Sequence, residues 1–137
     1  MNYWLIKTEP NTYSWEDLLK DKRTFWDGVR NYQARNNLKA MEQGDLCLYY
    51  HSVKEKAVVG IAKVVKTFYQ DPSTEDDRWV AVDVEAETSM KKRVTLEMVK
   101  NEPDLTQMVL VNNSRLSVQP VRKEEFDKIV AMGMEKE

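Results

Sequence analysis

The segment Trp26-Asp27-Gly28-Val29-Arg30-Asn31-Tyr32-Gln33-Ala34-Arg35-Asn36 gathers two arginines, three amides and two aromatic rings around one glycine. Such groups together suit a nucleobase. The flat ring stacks on an aromatic face, amides read its edge, and arginine meets phosphate. At about 100° per residue, Arg35 falls roughly 60° from Leu38, at the margin of an apolar helix stripe, and Asn31 lies closer still. Polar groups aimed near a core need partners, so they either join a structural network or line a pocket. Each residue taken singly reads as structural at least as readily; the cluster as a whole points to a site.

Two strand ends add further polar atoms. Lys7 and Glu9 close one strand, and His51 and Ser52 close another. If the strand ends converge, these residues border one pocket mouth. The plainer alternative is an ordinary ion pair and a turn serine. Trp4, Trp15 and Trp79 read as core residues before ligand platforms, Trp15 most clearly.

Covalent and metal chemistry have little to work with. Cys47 and His51 are four residues apart on a strand, which separates them by about 13 Å. That spacing rules out a hydrogen-bonded dyad, and Cys47 reads as a small buried apolar residue. A single cysteine and a single histidine cannot make a multi-cysteine zinc site. Glu75-Asp76-Asp77 reads as a solvated turn, so no metal and no cofactor is expected. Neither GxGxxG nor GxxxxGK[ST] is present, which argues against a phosphate-cradling loop. An enzyme acting on a modified nucleobase or another small molecule would have only His51, Lys7 and Glu9 to use. The residues therefore favour binding over catalysis, with the enzyme, and a fold-stabilising partner subunit, as the alternatives.

The whole chain bounds these readings. Its 137 residues suit one domain over 1–137, and 42 % hydrophobic with 32 % charged residues is a globular composition. The net charge of -2 does not suit a protein that grips many phosphates. Nucleic acid would have to be held by a local patch and a specific pocket, with Arg30, Arg35, Lys54, Lys56 and Arg115 as the phosphate contacts. One cysteine excludes an internal disulfide and fits a reducing, cytoplasmic setting. No apolar run approaches a membrane span, and the opening residues lack a signal-peptide pattern.

The elements that must position the cluster are short. Tyr3 to Thr8 predicts a strand. Ser14 with Asp17 predicts a capped helix. Asn31 predicts the cap of a second helix to about Met41, with Ala34, Leu38 and Met41 inward and Gly44 as its stop. Leu46 to His51 is apolar on both faces, as a strand buried on both sides must be. Ala57 to Phe68 predicts a long strand with a bend at Gly60, and Trp79 to Ala86 alternates cleanly. Leu96–Lys100 and Leu105–Asn112 predict helical turns. Leu116 to Pro120 predicts an edge strand, and Lys123 to Met132 a last helix with Gly133 as its cap. Together they predict an α+β fold: a small, curved sheet or barrel with flanking short helices.

With these residues in view, the chain closely resembles the EVE domain family. The resemblance rests on Tyr3-Trp4-Leu5-Ile6-Lys7-Thr8-Glu9-Pro10, the eleven-residue Trp26 segment, Tyr50-His51-Ser52, Val82-Asp83-Val84 and Ser114-Arg115-Leu116-Ser117-Val118-Gln119-Pro120, which occur in family order along nearly the whole chain. It implies a PUA-like β-barrel with a pocket for a modified base, a modified cytosine in DNA first and a modified RNA base second. It also implies that Trp26, Arg30, Asn31 and Tyr32, with His51 and Ser52, form the pocket wall. Two departures stand out. Val53 replaces a frequent asparagine, which removes a hydrogen-bonding group, and Lys56-Ala57 replaces a Pro-Gly step.

Overall fold

The computed structural model describes residues 1–135. Six strands form one mixed sheet: β1 (Tyr3–Thr8), β2 (Arg23–Trp26), β3 (Leu46–His51), β4 (Ala57–Gln70), β5 (Val80–Thr95) and β6 (Val118–Val121), in spatial order β2-β5-β4-β3-β1-β6. Among the described residues five α-helices flank it, α1 (Trp15–Asp21), α2 (Tyr32–Ala40), α3 (Leu96–Lys100), α4 (Val109–Asn112) and α5 (Lys123–Met134), with one 3-10 turn at Pro103–Leu105. The fold is α+β. Strands β1 and β3 pair in parallel, and α1, β2 and α2 form the crossover between them.

The two-sided apolarity of β3 has a direct cause. Cys47 and Tyr49 face a core shared with Trp4, Ile6, Trp15, Trp26 and Leu38. Leu48 and Tyr50 face a second core with Leu5, Val99, Leu110, Phe126 and Ile129. Helices α1 and α2 cover one face of the sheet and α3 to α5 the other, so no polar face is left on the central strands.

Local signals hold at the helix starts. Ser14 and Asp17 make a reciprocal capping box on α1, and the Asn31 side chain accepts from the Ala34 N–H at the start of α2. Pro120 sits on β6, an edge strand, where the missing N–H costs no ladder bond.

Long-range packing changes three expectations and adds one strand. The sheet is an open row: β2 and β6 are its two ends and are not hydrogen-bonded to each other. Helix α2 packs on β6, β5 and β4. The Arg23–Trp26 stretch is a strand, because β5 offers it an antiparallel partner. Strand β5 runs past Ala86 to Thr95, although alternation is lost there. Ser89 pairs with Gly60 and Val94 with Val58, so Met90 to Arg93 bulge opposite Val59. Two glycines do not cap helices. Gly44, at φ +95°, lies in the turn before β3, while α2 already ends at the extended Met41. Gly133 lies inside α5, where a Cβ would overlap the Met90 side chain; its role is close approach to the β5 bulge.

Gly60 does more than allow a bend: the Trp15 indole lies directly on it, and a Cβ there would overlap the ring.

Val53 sits at φ +70° in the turn between β3 and β4. Its neighbours close a three-residue turn, with the Lys54 N–H donating to the Ser52 carbonyl at 2.9 Å. A β-branched residue in this region is strained, by about 1–2 kcal/mol. Val53 is also 61 % exposed, so it returns little packing energy. Val53→Gly is therefore expected to stabilise the fold by about 1 kcal/mol, raising the melting temperature by a few degrees. A lower melting temperature would show that Val53 makes a contact worth more than its strain.

Candidate functional site

A cleft of about 460 Å³ opens at the seam of the sheet, within the size range of small-molecule sites. Lys7 and Thr8 of β1 form one side, with Ser117 just before β6. Thr24, Phe25 and Trp26 of β2, followed by Gly28, Val29 and Arg30, form the other. Thr12 and Tyr13 close one end. The cleft thus exists because β2 and β1 are not hydrogen-bonded neighbours in the sheet.

Trp26 is 8 % exposed. Its ring meets Tyr49 edge-on at 5.5 Å and 80°, so it belongs to the core and to the cleft wall at once. Phe25 is half exposed at the rim. The Lys7 ammonium donates to the Ser114 carbonyl at 2.6 Å and lies 5.5 Å from the Tyr50 ring. Burial lowers its pKa. Burial also pushes the Tyr13 phenol up to about 12, aided by its bond to Asp21, so it stays a neutral hydroxyl at the cleft end.

The Gly28 turn is held from a distance. Asp71, fully buried, accepts from the Gly28 N–H at 2.8 Å and from Arg30 Nη1 at 2.9 Å. It also accepts from the Ser73 N–H and hydroxyl, and Arg30 Nη2 reaches Ser73 Oγ at 3.1 Å. Burial alone would raise the Asp71 pKa, but the bonds from Ser73, Arg30 and Gly28 reverse this and hold it at about 2. Gly28 itself has φ +77°, a conformation that favours glycine. Arg30 is therefore a clamped side chain on the cleft wall and not a free cation.

The other residues singled out in the sequence lie elsewhere. Asn31 caps α2. Tyr32 is half exposed outside the cleft; it packs on Trp79 at 5.1 Å, and its hydroxyl accepts from Arg78 at 3.0 Å. Arg35 lies 5.0 Å over the Tyr32 ring. His51 is 1 % exposed. Its Nε2 accepts from the Trp15 N–H at 3.0 Å, so Nδ1 carries the proton and donates to Glu55. Burial lowers the His51 pKa, with Arg93 acting in the same direction against Glu16. Ser52 continues the sheet through its N–H to the Thr8 carbonyl and lines a neighbouring groove with Tyr50. The Glu9 carboxylate is not part of the cleft lining; its backbone carbonyl accepts from Thr12 and Tyr13. Lys54, Lys56 and Arg115 are exposed. Cys47 is in the core, where burial pushes its thiol pKa up.

Asp71 and Ser73 went unread in the sequence because Asp-Pro-Ser signals a turn and nothing about the loop it will hold. Thr24 carries no local signal, and Thr8 and Ser117 lie in segments that carry the resemblance without being marked there as site residues. Among the described residues no group of acidic, histidine and cysteine side chains has the arrangement of a metal site, and no helix is long and apolar enough to cross a membrane.

The EVE domain profile matches residues 2–132. Thymocyte nuclear protein 1 of Mus musculus is 39 % identical over 96 % of this chain and 73 % of its own length. A crystal structure of a protein from Agrobacterium tumefaciens superposes with a TM-score of 0.93 at 45 % identity, covering 97 % of this chain and 93 % of that one. The crystal structure of human THYN1 in complex with 5-methylcytosine-containing DNA superposes with a TM-score of 0.90 at 35 % identity, covering 100 % of both chains.

Proposed function

This chain belongs to the EVE domain family, and from that premise we propose that it is a nucleic-acid-binding module whose seam cleft takes up one modified base. The observation that carries the reading is the cleft of about 460 Å³ with Trp26 in its wall, in a chain similar over its whole length to a protein crystallised with 5-methylcytosine DNA. A duplex hides the base faces and Watson–Crick edges, so a cleft that encloses a whole base takes one that is extruded or single-stranded. Trp26 and Val29 offer apolar surface to a methyl group, and Lys7, Thr8, Thr24 and Ser117 offer hydrogen-bonding groups to the base edge. A modified cytosine in DNA is the first ligand, and a modified base in RNA the second.

Lys7, Trp26 and Arg30 belong to the cleft in this reading. Asn31, His51 and Ser52 support it from outside by capping α2 and holding the ends of β1 and β3. Arg35, Lys54, Lys56 and Arg115 are rim cations for phosphate. We read the architecture as a PUA-like barrel opened at the seam, with residues 1–137 acting as one domain in a reducing cytoplasm that suits the lone thiol of Cys47.

The test is a titration with 5-methyl-2′-deoxycytidine and with 2′-deoxycytidine, followed by tryptophan fluorescence and calorimetry. The methylated nucleoside is expected to bind roughly tenfold or more tightly, the scale of one small group in a dry pocket. Equal affinities would overturn the reading, and conversion of either nucleoside to a product would favour an enzyme instead.

A further inference from the structure

A second groove, of about 480 Å³, shares Lys7 with the base cleft as a lining residue. Its floor is apolar, made by Tyr50, Leu96 and Leu110. Its polar groups include two lysines, Lys7 and Lys56, and among the described residues no carboxylate lines it. That is notable in a chain with 23 acidic residues against 21 basic ones. The Lys7 ammonium spends one donor on the Ser114 carbonyl, which leaves two for a ligand. Lys56 forms no ion pair among the described residues, and neither do Lys54 and Arg115, which follow the lining residues Val53 and Ser114 in the chain. The strained Val53 turn also borders the groove, and strain of this kind concentrates at ligand-holding sites.

We propose that this groove seats the nucleotide next to the base held in the cleft, with its phosphate between Lys7 and Lys56 and its sugar and base over Leu96 and Leu110. The proposal rests on the cleft as the base site. The shared Lys7 makes the two sites continuous, so one strand occupies both without leaving the surface. A positive rim over an apolar floor matches a nucleotide, whose charge lies on one side and flat apolar surface on the other. The groove also supplies the local patch that an acidic protein needs in order to hold phosphate at all.

The experiment compares two ligands, 5-methyl-2′-deoxycytidine and a single-stranded trinucleotide with that nucleoside at its centre, on wild type, Lys56→Gln and Lys56→Glu. Lys56 is exposed, so both variants keep the fold, which a melting curve verifies. The trinucleotide is expected to bind wild type about tenfold more tightly than the nucleoside. Lys56→Gln should remove most of that gain and lower the slope of log affinity against log salt by about 0.7, the value for one single-strand phosphate contact. Lys56→Glu should remove the gain entirely, and the phosphate-free nucleoside should bind all three proteins alike. If the gain and the slope survive both variants, or if wild type binds both ligands equally, the groove is not the nucleotide seat and the base cleft stands. If the trinucleotide binds with Lys56 dependence while 5-methyl-2′-deoxycytidine binds wild type no more tightly than 2′-deoxycytidine does, the groove stands and the base reading falls. Failure of both ligands to bind overturns both.

Discussion

Trp26→Ala is expected to weaken binding of the methylated nucleoside by roughly ten- to a hundredfold, the equivalent of about 1–3 kcal/mol for a lost aromatic stack. The same substitution has a second cost. Trp26 is only 8 % exposed and meets Tyr49 edge-on, so truncation opens a cavity and lowers stability by about 3 kcal/mol. The two effects are separable. Trp26→Phe keeps a ring against Tyr49 and in the cleft wall, and should retain most of the stability and most of the affinity. Trp26→Leu keeps bulk without a π-face, and should stay folded while losing the stack. Affinity and melting temperature measured on the same samples decide the matter. A folded Trp26→Leu or Trp26→Ala that binds like wild type would remove the cleft from consideration as the base site.

Asp71→Asn is expected to destabilise the protein by about 2–3 kcal/mol, because a buried carboxylate with several donors is replaced by a group with one acceptor oxygen. The figure lies below that for a fully buried ion pair, since the Arg30 side chain left behind is 41 % exposed and water screens it. The Gly28 turn loses its anchor at the same time, so base affinity should fall with stability. The pH profile identifies the cause. In the folded protein the Asp71 pKa is held at about 2, below the unfolded value of about 3.9. The unfolded state therefore binds the proton first on acidification. The Asp71 contribution is fully present above about pH 4 and is lost as the pH falls from there toward 2. Asp71→Asn should flatten that part of the acid limb while lowering the plateau. An unchanged plateau and an unchanged acid limb would mean that the Gly28 turn holds its shape without Asp71.

Much of the architecture is written in short-range signals. The Ser14–Asp17 box and the Asn31 cap act over three residues, so neighbouring residues alone specify them. The apolar run of β3 records burial on both faces before any partner is known. Pro120 identifies an edge strand because it cannot donate to a ladder. The Trp26 segment likewise marks where the candidate site lies, since Trp26, Gly28 and Arg30 all reach the cleft.

What the sequence could not decide depends on contacts between residues far apart in the chain. Arg23–Trp26 is a strand only because β5 pairs with it, and β5 extends to Thr95 only because β4 accepts a bulge there. Tyr32 and His51 sit in segments that carry the resemblance, yet the first packs outward on Trp79 and the second is consumed by Trp15 and Glu55. Asp71 meets Gly28 across 43 positions, a distance over which no local pattern carries information. By itself the sequence determined which residues prefer burial, where helices begin, and which stretch is rich in base-reading groups, because those properties belong to single residues and their near neighbours. The tertiary structure alone decided which of those groups face the cleft, because that depends on how the sheet leaves its seam open and on which distant side chains hold the walls apart.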